Sequence, residues 1–281
     1  MIRIITDSTC EAPPELLGHP AVSVVPLTVI FGQETFLDNV DITREQFWAR
    51  LTSSDKLPTT SQATPGQFQP LFQKFTDAGD EVIVIVISAR LSQTYNSALV
   101  AKESVPDGPI DVIDSKTTSV GLGLMLQEAV ALAEAGMSRS EIAARLIQMR
   151  DAIHVIFVVE TLEYLQRGGR IGKARAFVGT LLKLKPLLGI VDGEVTPEAR
   201  VRSRAKALET MQELMQQKVS ARGPQVRLAL MHAQAADEAA RVGQALAASF
   251  GTQRMFIAEL GPVLGTHVGP GTIGAAVYGG S

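Results

Sequence analysis

The sequence predicts an α/β protein, with largely parallel sheets divided between two α/β domains. Three observations point there. Short β-branched runs recur along the chain, segments with helical spacing of apolar residues lie between them, and 281 residues suffice for one large α/β unit or two smaller ones.

The first predicted strand is Ile2–Ile5, and the turn Thr6-Asp7-Ser8-Thr9 follows it. Hydroxyls and a carboxylate at that place either cap a helix and close a turn or bind a ligand, and the cap-and-turn reading is preferred. Residues Val22–Ile30 read as one further strand. A second hydroxyl cluster, Pro58-Thr59-Thr60-Ser61-Gln62, lies on a proline-entered loop, and Thr64-Pro65-Gly66 looks like a helix start. The most apolar strand, Val82–Ile87, leads directly into Ser88-Ala89-Arg90-Leu91-Ser92-Gln93-Thr94-Tyr95. A strand-to-helix turn of that composition presents O–H groups and free helix N–H groups together, which suits an anion.

The next strand, Ile110–Ile113, is followed by Asp114-Ser115-Lys116-Thr117-Thr118-Ser119-Val120-Gly121-Leu122-Gly123. Gly121 and Gly123 begin a dinucleotide-like fingerprint, but Leu126 stands where a third glycine is required, so a nicotinamide site is excluded. Helices are predicted at Leu124–Ala135 and Arg139–Arg150, the latter capped by Ser138 or Ser140, before a strand at Val155–Val159. Gly168-Gly169-Arg170-Ile171-Gly172 breaks the pattern, and the domain boundary is placed near residue 160. Domains 1–160 and 161–281 follow, with the chain free to cross between them more than once. The second domain carries predicted strands at Val226–Met231 and Met255–Ala258 and helices at Arg204–Val219 and Asp237–Ser249.

The chain ends in a glycine-rich stretch, Gly261-Pro-Val-Leu-Gly-Thr-His-Val-Gly-Pro-Gly271, read as a loop with one threonine and one histidine among four glycines and two prolines. Glycine allows close backbone approach and positive φ, while proline stiffens the turns, so the stretch has the outline of a phosphate or carboxylate site.

Composition narrows the function. At 46% hydrophobic and 20% charged residues the chain has an ordinary globular make-up. Charges at Arg3 and Asp7 interrupt any early apolar segment, and no apolar run approaches bilayer-spanning length, so a cytoplasmic location is expected. The single cysteine, Cys10, excludes an internal disulfide and is read as structural. A net charge of −3 hides a basic run: Arg167, Arg170, Lys173, Arg175, Lys183 and Lys185 occur between Gln166 and Val191 without an acidic residue, and Arg200, Arg202, Arg204 and Lys206 follow. A small phosphate or an acidic protein surface fits this run better than nucleic acid, because the chain as a whole is acidic and few aromatics interleave. His19, His154, His232 and His267 lack metal-ligand spacing, and no Walker loop, nucleophile elbow or carboxylate pair stands out. No metal or cofactor is expected. Hydroxyls, glycines and arginines bind anions better than they break bonds.

Taken in order, several segments resemble the DegV family over nearly the whole chain. They are Thr6-Asp-Ser-Thr9, Thr59-Thr-Ser-Gln62, Leu91-Ser-Gln-Thr-Tyr-Asn-Ser-Ala98, Asp114-Ser115, Thr161-Leu-Glu-Tyr-Leu-Gln-Arg-Gly-Gly-Arg-Ile171, Lys185-Pro186, Arg202-Ser-Arg-Ala-Lys-Ala207 and Gly261–Gly271. The resemblance implies two α/β domains with a ligand tunnel between them, holding one long-chain fatty acid. It further implies a carrier rather than an enzyme, presenting the fatty-acid carboxylate to an ATP-dependent fatty acid kinase subunit and carrying the acyl-phosphate onward, with membrane-surface contact for lipid exchange. By the family's pattern Thr60, Ser61, Ser92, Gly265, Thr266 and His267 hold the carboxylate, and Arg170, Arg202 and His267 serve phosphate transfer or kinase docking. Two positions depart from the pattern: Gln93 stands where the family usually has glycine, and Ala63 where it usually has proline. Burying roughly 15 methylenes at about 0.8 kcal/mol each gives a gross term on the order of 10 kcal/mol before association costs, so the chain supplies affinity and the hydroxyls supply position. The alternative is an independent small-molecule kinase or phosphotransferase with His267 as phosphate acceptor. The missing nucleotide-phosphate loop and magnesium carboxylate set argue against it.

Overall fold

The computed structural model describes residues 1–54, 56–178 and 184–280. The first part of the chain runs β1 (Ile2–Asp7), α1 (Pro14–Leu17), β2 (Val22–Val25), β3 (Thr28–Phe31), β4 (Glu34–Leu37), α2 (Arg44–Ser53), β5 (Thr59–Ser61) and α3 (Pro65–Asp77). The middle follows as β6 (Glu81–Val86), α4 (Thr94–Lys102), β7 (Ile110–Asp114), α5 (Ser119–Glu134), α6 (Arg139–Ala152), β8 (Ile153–Val158), α7 (Glu163–Arg167) and a 3-10 turn at Gly172–Phe177. The last part is β9 (Lys185–Val191), β10 (Glu194–Val201), α8 (Arg204–Lys218), β11 (Arg227–His232), α9 (Ala236–Phe250), β12 (Met255–Glu259), α10 (Pro262–Val268) and β13 (Ile273–Tyr278).

A four-stranded sheet, ordered β2-β1-β6-β7, is parallel throughout. Its central strand explains the apolar run: Val82 to Val86 are fully buried, as expected of a strand covered on both faces. A six-stranded sheet, ordered β10-β9-β8-β13-β11-β12, is antiparallel at every pairing except β11 with β12. The expectation of largely parallel sheets therefore fails for the second sheet. The β9–β10 hairpin explains part of the difference, because Asp192 and Gly193 both take positive φ, at 50° and 79°, in the two-residue turn that favours antiparallel return.

The predicted strand Val22–Ile30 is two strands in two sheets. Strand β2 pairs with β1, whereas β3 joins β4 and β5 in a small antiparallel sheet. Pro26, which has no N–H for a ladder, sits at the break, and the Leu27 amide leaves the sheet to bond Ser8 Oγ at 3.0 Å. Strand β8 pairs with β9 and β13, so sheet membership changes between β7 and β8, ahead of residue 160. The chain also crosses back: α10 packs on α2, β3 and β5.

Helix α5 lies between the two large sheets, touching β1 and β6 on one side and β8, β11 and β13 on the other. It starts at Ser119, five residues before the predicted Leu124, and is buried on all faces through its first half, where helical periodicity carries no signal. Its glycines serve that packing: a Cβ at Gly123 would collide with the Glu11 carbonyl, and one at Gly121 would lie 3.2 Å from Val155 Cγ2. Helix α6 begins where predicted, with Ser138 as cap in a reciprocal arrangement with Glu141. Strand β8 then shows why the six-stranded sheet has two faces: Val155 and Phe157 enter the core shared with the first sheet, while Ile156 and Val158 enter a second core under α8 and α9.

Candidate functional site

The space between the two large sheets contains a cavity of about 730 Å³, counting all space not filled by atoms and including its open mouth. Its walls are mostly apolar. Leu27, Ile87 and Leu91 come from the first sheet and its loops, Phe157, Ile190, Val195 and Met231 from the six-stranded sheet, and Leu260, Val263, Leu264 and Val268 from α10 and its approach. Polar groups on the lining are few: Thr60, Ser61, Gln62, Ser92, Thr118, Ser119, Arg170 and His267. An apolar lining with a small set of polar groups is the usual make-up of a small-molecule site.

The local folding places each polar group. Thr60 is on β5, paired with Val29 of β3, and its Oγ1 lies 2.8 Å from Nε2 of His267 on α10. The His267 Nδ1 is buried without a protein partner. Burial first, and then the nearby Arg170 guanidinium, push the His267 pKa down to about 4, so the ring is neutral at neutral pH. Ser92 sits in the turn after β6, with its amide on the Ser88 carbonyl at 3.1 Å. Its Oγ is 2.9 Å from Thr94 Oγ1 and accepts the Thr94 amide at 3.3 Å. When the Thr94 hydroxyl also donates, the Ser92 proton is left for the cavity. Arg170 donates from Nε to the Leu91 carbonyl at 3.1 Å and from Nη1 to the Gly168 carbonyl at 2.7 Å, which ties the α7 turn to the loop carrying Ser92.

The Thr6–Thr9 turn supports the walls rather than meeting a ligand. Asp7 accepts the Thr9 amide at 2.9 Å and hydroxyl at 2.6 Å with one oxygen, and the Ile87 amide at 2.7 Å with the other. Ser8 donates to Asp38 at 2.7 Å while receiving Leu27. Ile87 and Leu27, both cavity residues, are thereby fixed. Burial also holds the Cys10 thiol pKa well above its ordinary value.

Of the expected anion-binding residues, Thr60, Ser61, Ser92, Arg170 and His267 all line the cavity. Gly265 and Thr266 do not. The stretch read as a glycine-rich loop is mostly helix α10, and its geometry turns these two residues elsewhere. Thr266 Oγ1 bonds the Pro262 carbonyl one turn back at 2.9 Å. Gly265 allows α10 to lie against α2, since a Cβ there would come within 2.6 Å of the Phe47 ring. Arg202 is exposed after β10 and is not among the lining residues. Gln93 is also exposed, turned toward Asn96 at 2.5 Å, so its departure from glycine puts no side chain on the lining. The basic run is largely paired within the chain: Lys185 and Arg204 meet Glu160, Lys173 meets Glu194 at 3.6 Å, and Lys206 meets Glu209 and Glu213. Lys183 lies outside the described residues.

Gln62, Thr118 and Ser119 were not among the expected site residues. The sequence signal for the last two was the hydroxyl-rich tract before Gly121, which the fingerprint test considered only for its glycines. Among the described residues no group of three or more His, Cys, Asp or Glu side chains is placed to hold a metal, and no helix is long and apolar enough to cross a membrane.

The chain matches, over residues 1–279, the family model described as uncharacterised protein, DegV family. Protein DegV of Bacillus subtilis is 32% identical over 274 residues, covering 97% of each chain. This chain belongs to the DegV family. Among solved structures, a DegV family protein from Thermus thermophilus, described by its fatty acid binding, superposes with a TM-score of 0.93 at 35% identity, with 99% of each chain covered. A stearic acid-binding protein from Eubacterium ventriosum superposes at 0.90 with 27% identity, covering 99% of this chain and 98% of that one. Both of these similar structures are thus described by the fatty acids they bind.

Proposed function

We propose that this DegV protein binds one long-chain fatty acid in the cavity between its sheets, with the carboxylate at Thr60, Ser61, Ser92 and His267 and the alkyl chain along the apolar walls. The observation that carries the reading is the make-up of that cavity: about twelve apolar side chains drawn from both sheets and their loops, α7 and α10, with hydroxyls and a neutral imidazole gathered from β5, the β6–α4 turn and α10. Burial of the methylenes supplies affinity, and neutral donors orient the head group without withdrawing its charge as an arginine clamp would. The fatty-acid-binding relatives support the same ligand class.

The finer reading is a carrier that takes part in phosphorylation without catalysing it. The bound carboxylate is presented to an ATP-dependent kinase subunit, and the acyl-phosphate is carried onward in the cytoplasm, with lipid exchanged at a membrane surface. Arg170 at the cavity and Arg202 outside it are the residues assigned to meet the incoming phosphate or the partner surface. Mass spectrometry of lipid extracted from the purified protein tests the first step, with about one fatty acid per chain expected. A protein that carries no lipid and takes up no added fatty acid ends the reading.

A further inference from the structure

The tract Ser115–Ser119 holds four hydroxyls, and they divide into two kinds. Ser115 Oγ and Thr117 Oγ1 are spent on the tract's own backbone, on the carbonyls of Thr117 and Thr118. Thr118 Oγ1 and Ser119 Oγ have no hydrogen-bond partner, although the two residues are only 8% and 2% exposed. These two, and not the other pair, belong to residues that line the cavity. Thr118 stands at the N-cap of the 16-residue helix α5, where a threonine hydroxyl ordinarily accepts a helix amide, yet its side chain makes no such bond. Ser119 holds a φ of 53°, a left-handed conformation that is uncommon outside glycine, asparagine and aspartate. Leaving buried hydroxyls unpaired is costly, and groups of this kind in native proteins usually meet water or a ligand.

Resting on the fatty-acid reading above, we propose that Thr118 and Ser119 form a second polar station on the cavity wall, which takes a neutral oxygen carried on the acyl chain, so that hydroxy fatty acids are preferred ligands. With the carboxylate given to Thr60, Ser61, Ser92 and His267, the two unpaired hydroxyls are assigned to the chain. A methylene leaves both hydroxyls unpaired. A chain hydroxyl satisfies one as donor and the other as acceptor, since each side chain offers both roles. The rest of the cavity lining is mostly apolar, with Ile87, Phe157, Met231 and Leu260 among it, so a chain oxygen placed against those side chains gains nothing.

The experiment compares stearic acid with its 3-, 10- and 12-hydroxy forms by direct binding to the delipidated protein, to Thr118→Val, and to Ser119→Gly. The first variant keeps the volume of the side chain, and the second removes the hydroxyl while suiting the positive φ. At least one hydroxy acid is expected to bind wild type more tightly than stearic acid. That acid is expected to lose about tenfold relative to stearic acid in each variant, the scale of one net hydrogen bond. A ranking in which no hydroxy acid binds wild type more tightly than stearic acid overturns the proposal, as does a preference that both variants keep in full. So does a variant that weakens stearic acid and the hydroxy acids alike. Binding of none of the acids, stearic acid included, overturns the fatty-acid reading itself.

Discussion

Thr60 and His267, 207 positions apart in the chain, meet at 2.8 Å between hydroxyl and Nε2 and so join the small antiparallel sheet to helix α10 at the polar side of the cavity. The ring is neutral, so this bond is between uncharged partners, and its breaking is expected to cost about 1 kcal/mol. Thr60→Val leaves both ring nitrogens without a partner and removes a hydroxyl from the head-group site. Fatty-acid affinity should fall about tenfold, while Thr60→Ser keeps it within a few-fold. Calorimetric titration of the delipidated proteins measures this, and equal affinities for Val and Ser variants would take Thr60 out of the site.

Ser92→Ala removes a donor from the cavity and the acceptor of the Thr94 amide. Binding should weaken by about 1–2 kcal/mol, with most of the chain-derived affinity kept. The methyl ester separates the two roles, because it lacks a carboxylate to orient. A loss that is the same for acid and ester points to the loosened start of α4 instead of the head group.

Much of this architecture was legible because strands and helix starts write local signals. The buried strand β6, the turns after it, and the Ser138 cap all appear in order in the sequence. What was not legible depends on partners distant in the chain. Strands β9 and β13 carry glycine and few alternating polar residues, and their antiparallel pairing with β8 is a tertiary choice, although Asp192-Gly193 was a readable hairpin signal. Gly265 and Thr266 were misplaced because a glycine-rich stretch reads as a loop, whereas here small residues let a short helix pack against Phe47 and Trp48. Thr118 and Ser119 were passed over because unpaired hydroxyls are visible only once their surroundings are known.

Arg202, unlike Arg170, should separate binding from transfer. Arg170 holds the Leu91 and Gly168 carbonyls, so Arg170→Ala loosens the wall beside Ser92 and is expected to weaken fatty-acid binding as well as phosphorylation. Arg202 is exposed and off the lining, so Arg202→Ala should keep binding within about twofold. Kinase-dependent acyl-phosphate formation should then fall by about 10²-fold, the scale of one donor acting on developing charge. Both variants are assayed for binding and for turnover with a cognate kinase. Equal losses of both quantities in Arg202→Ala would remove the transfer role.

Stability should fall as pH rises from 6.5 to 8, because of a buried acid cluster behind α10. Glu11 accepts the Gly261 amide at 2.6 Å and pairs with Arg44 at 2.8 Å, while Asp38 accepts from Ser8 nearby. Burial outweighs these partners and raises Glu11 to about 7 and Asp38 to about 8. Both folded values exceed the unfolded ones of 4.5 and 3.8, so the native state keeps protons that the unfolded chain has released. The stability they contribute is complete below about pH 4 and is lost as pH climbs through 7 and 8. Carboxylates with lowered values, Asp80, Glu128, Glu141, Asp151 and Glu160, act the other way, but only as pH falls through the acid range. The histidines His154, His232 and His267, each partly or fully buried, have lowered values too, so they add stability as pH rises toward their unfolded value of 6.5 and then level off. Above 6.5 the acid cluster is left to set the slope. Asp38 alone should cost on the order of 2 kcal/mol between pH 6.5 and 8. Asp38→Asn keeps an acceptor for Ser8 and cannot ionise, so its denaturant midpoint should fall less steeply across that window than that of wild type, with Glu11 left to titrate. Parallel curves for the two proteins would mean that Asp38 is already ionised in the fold.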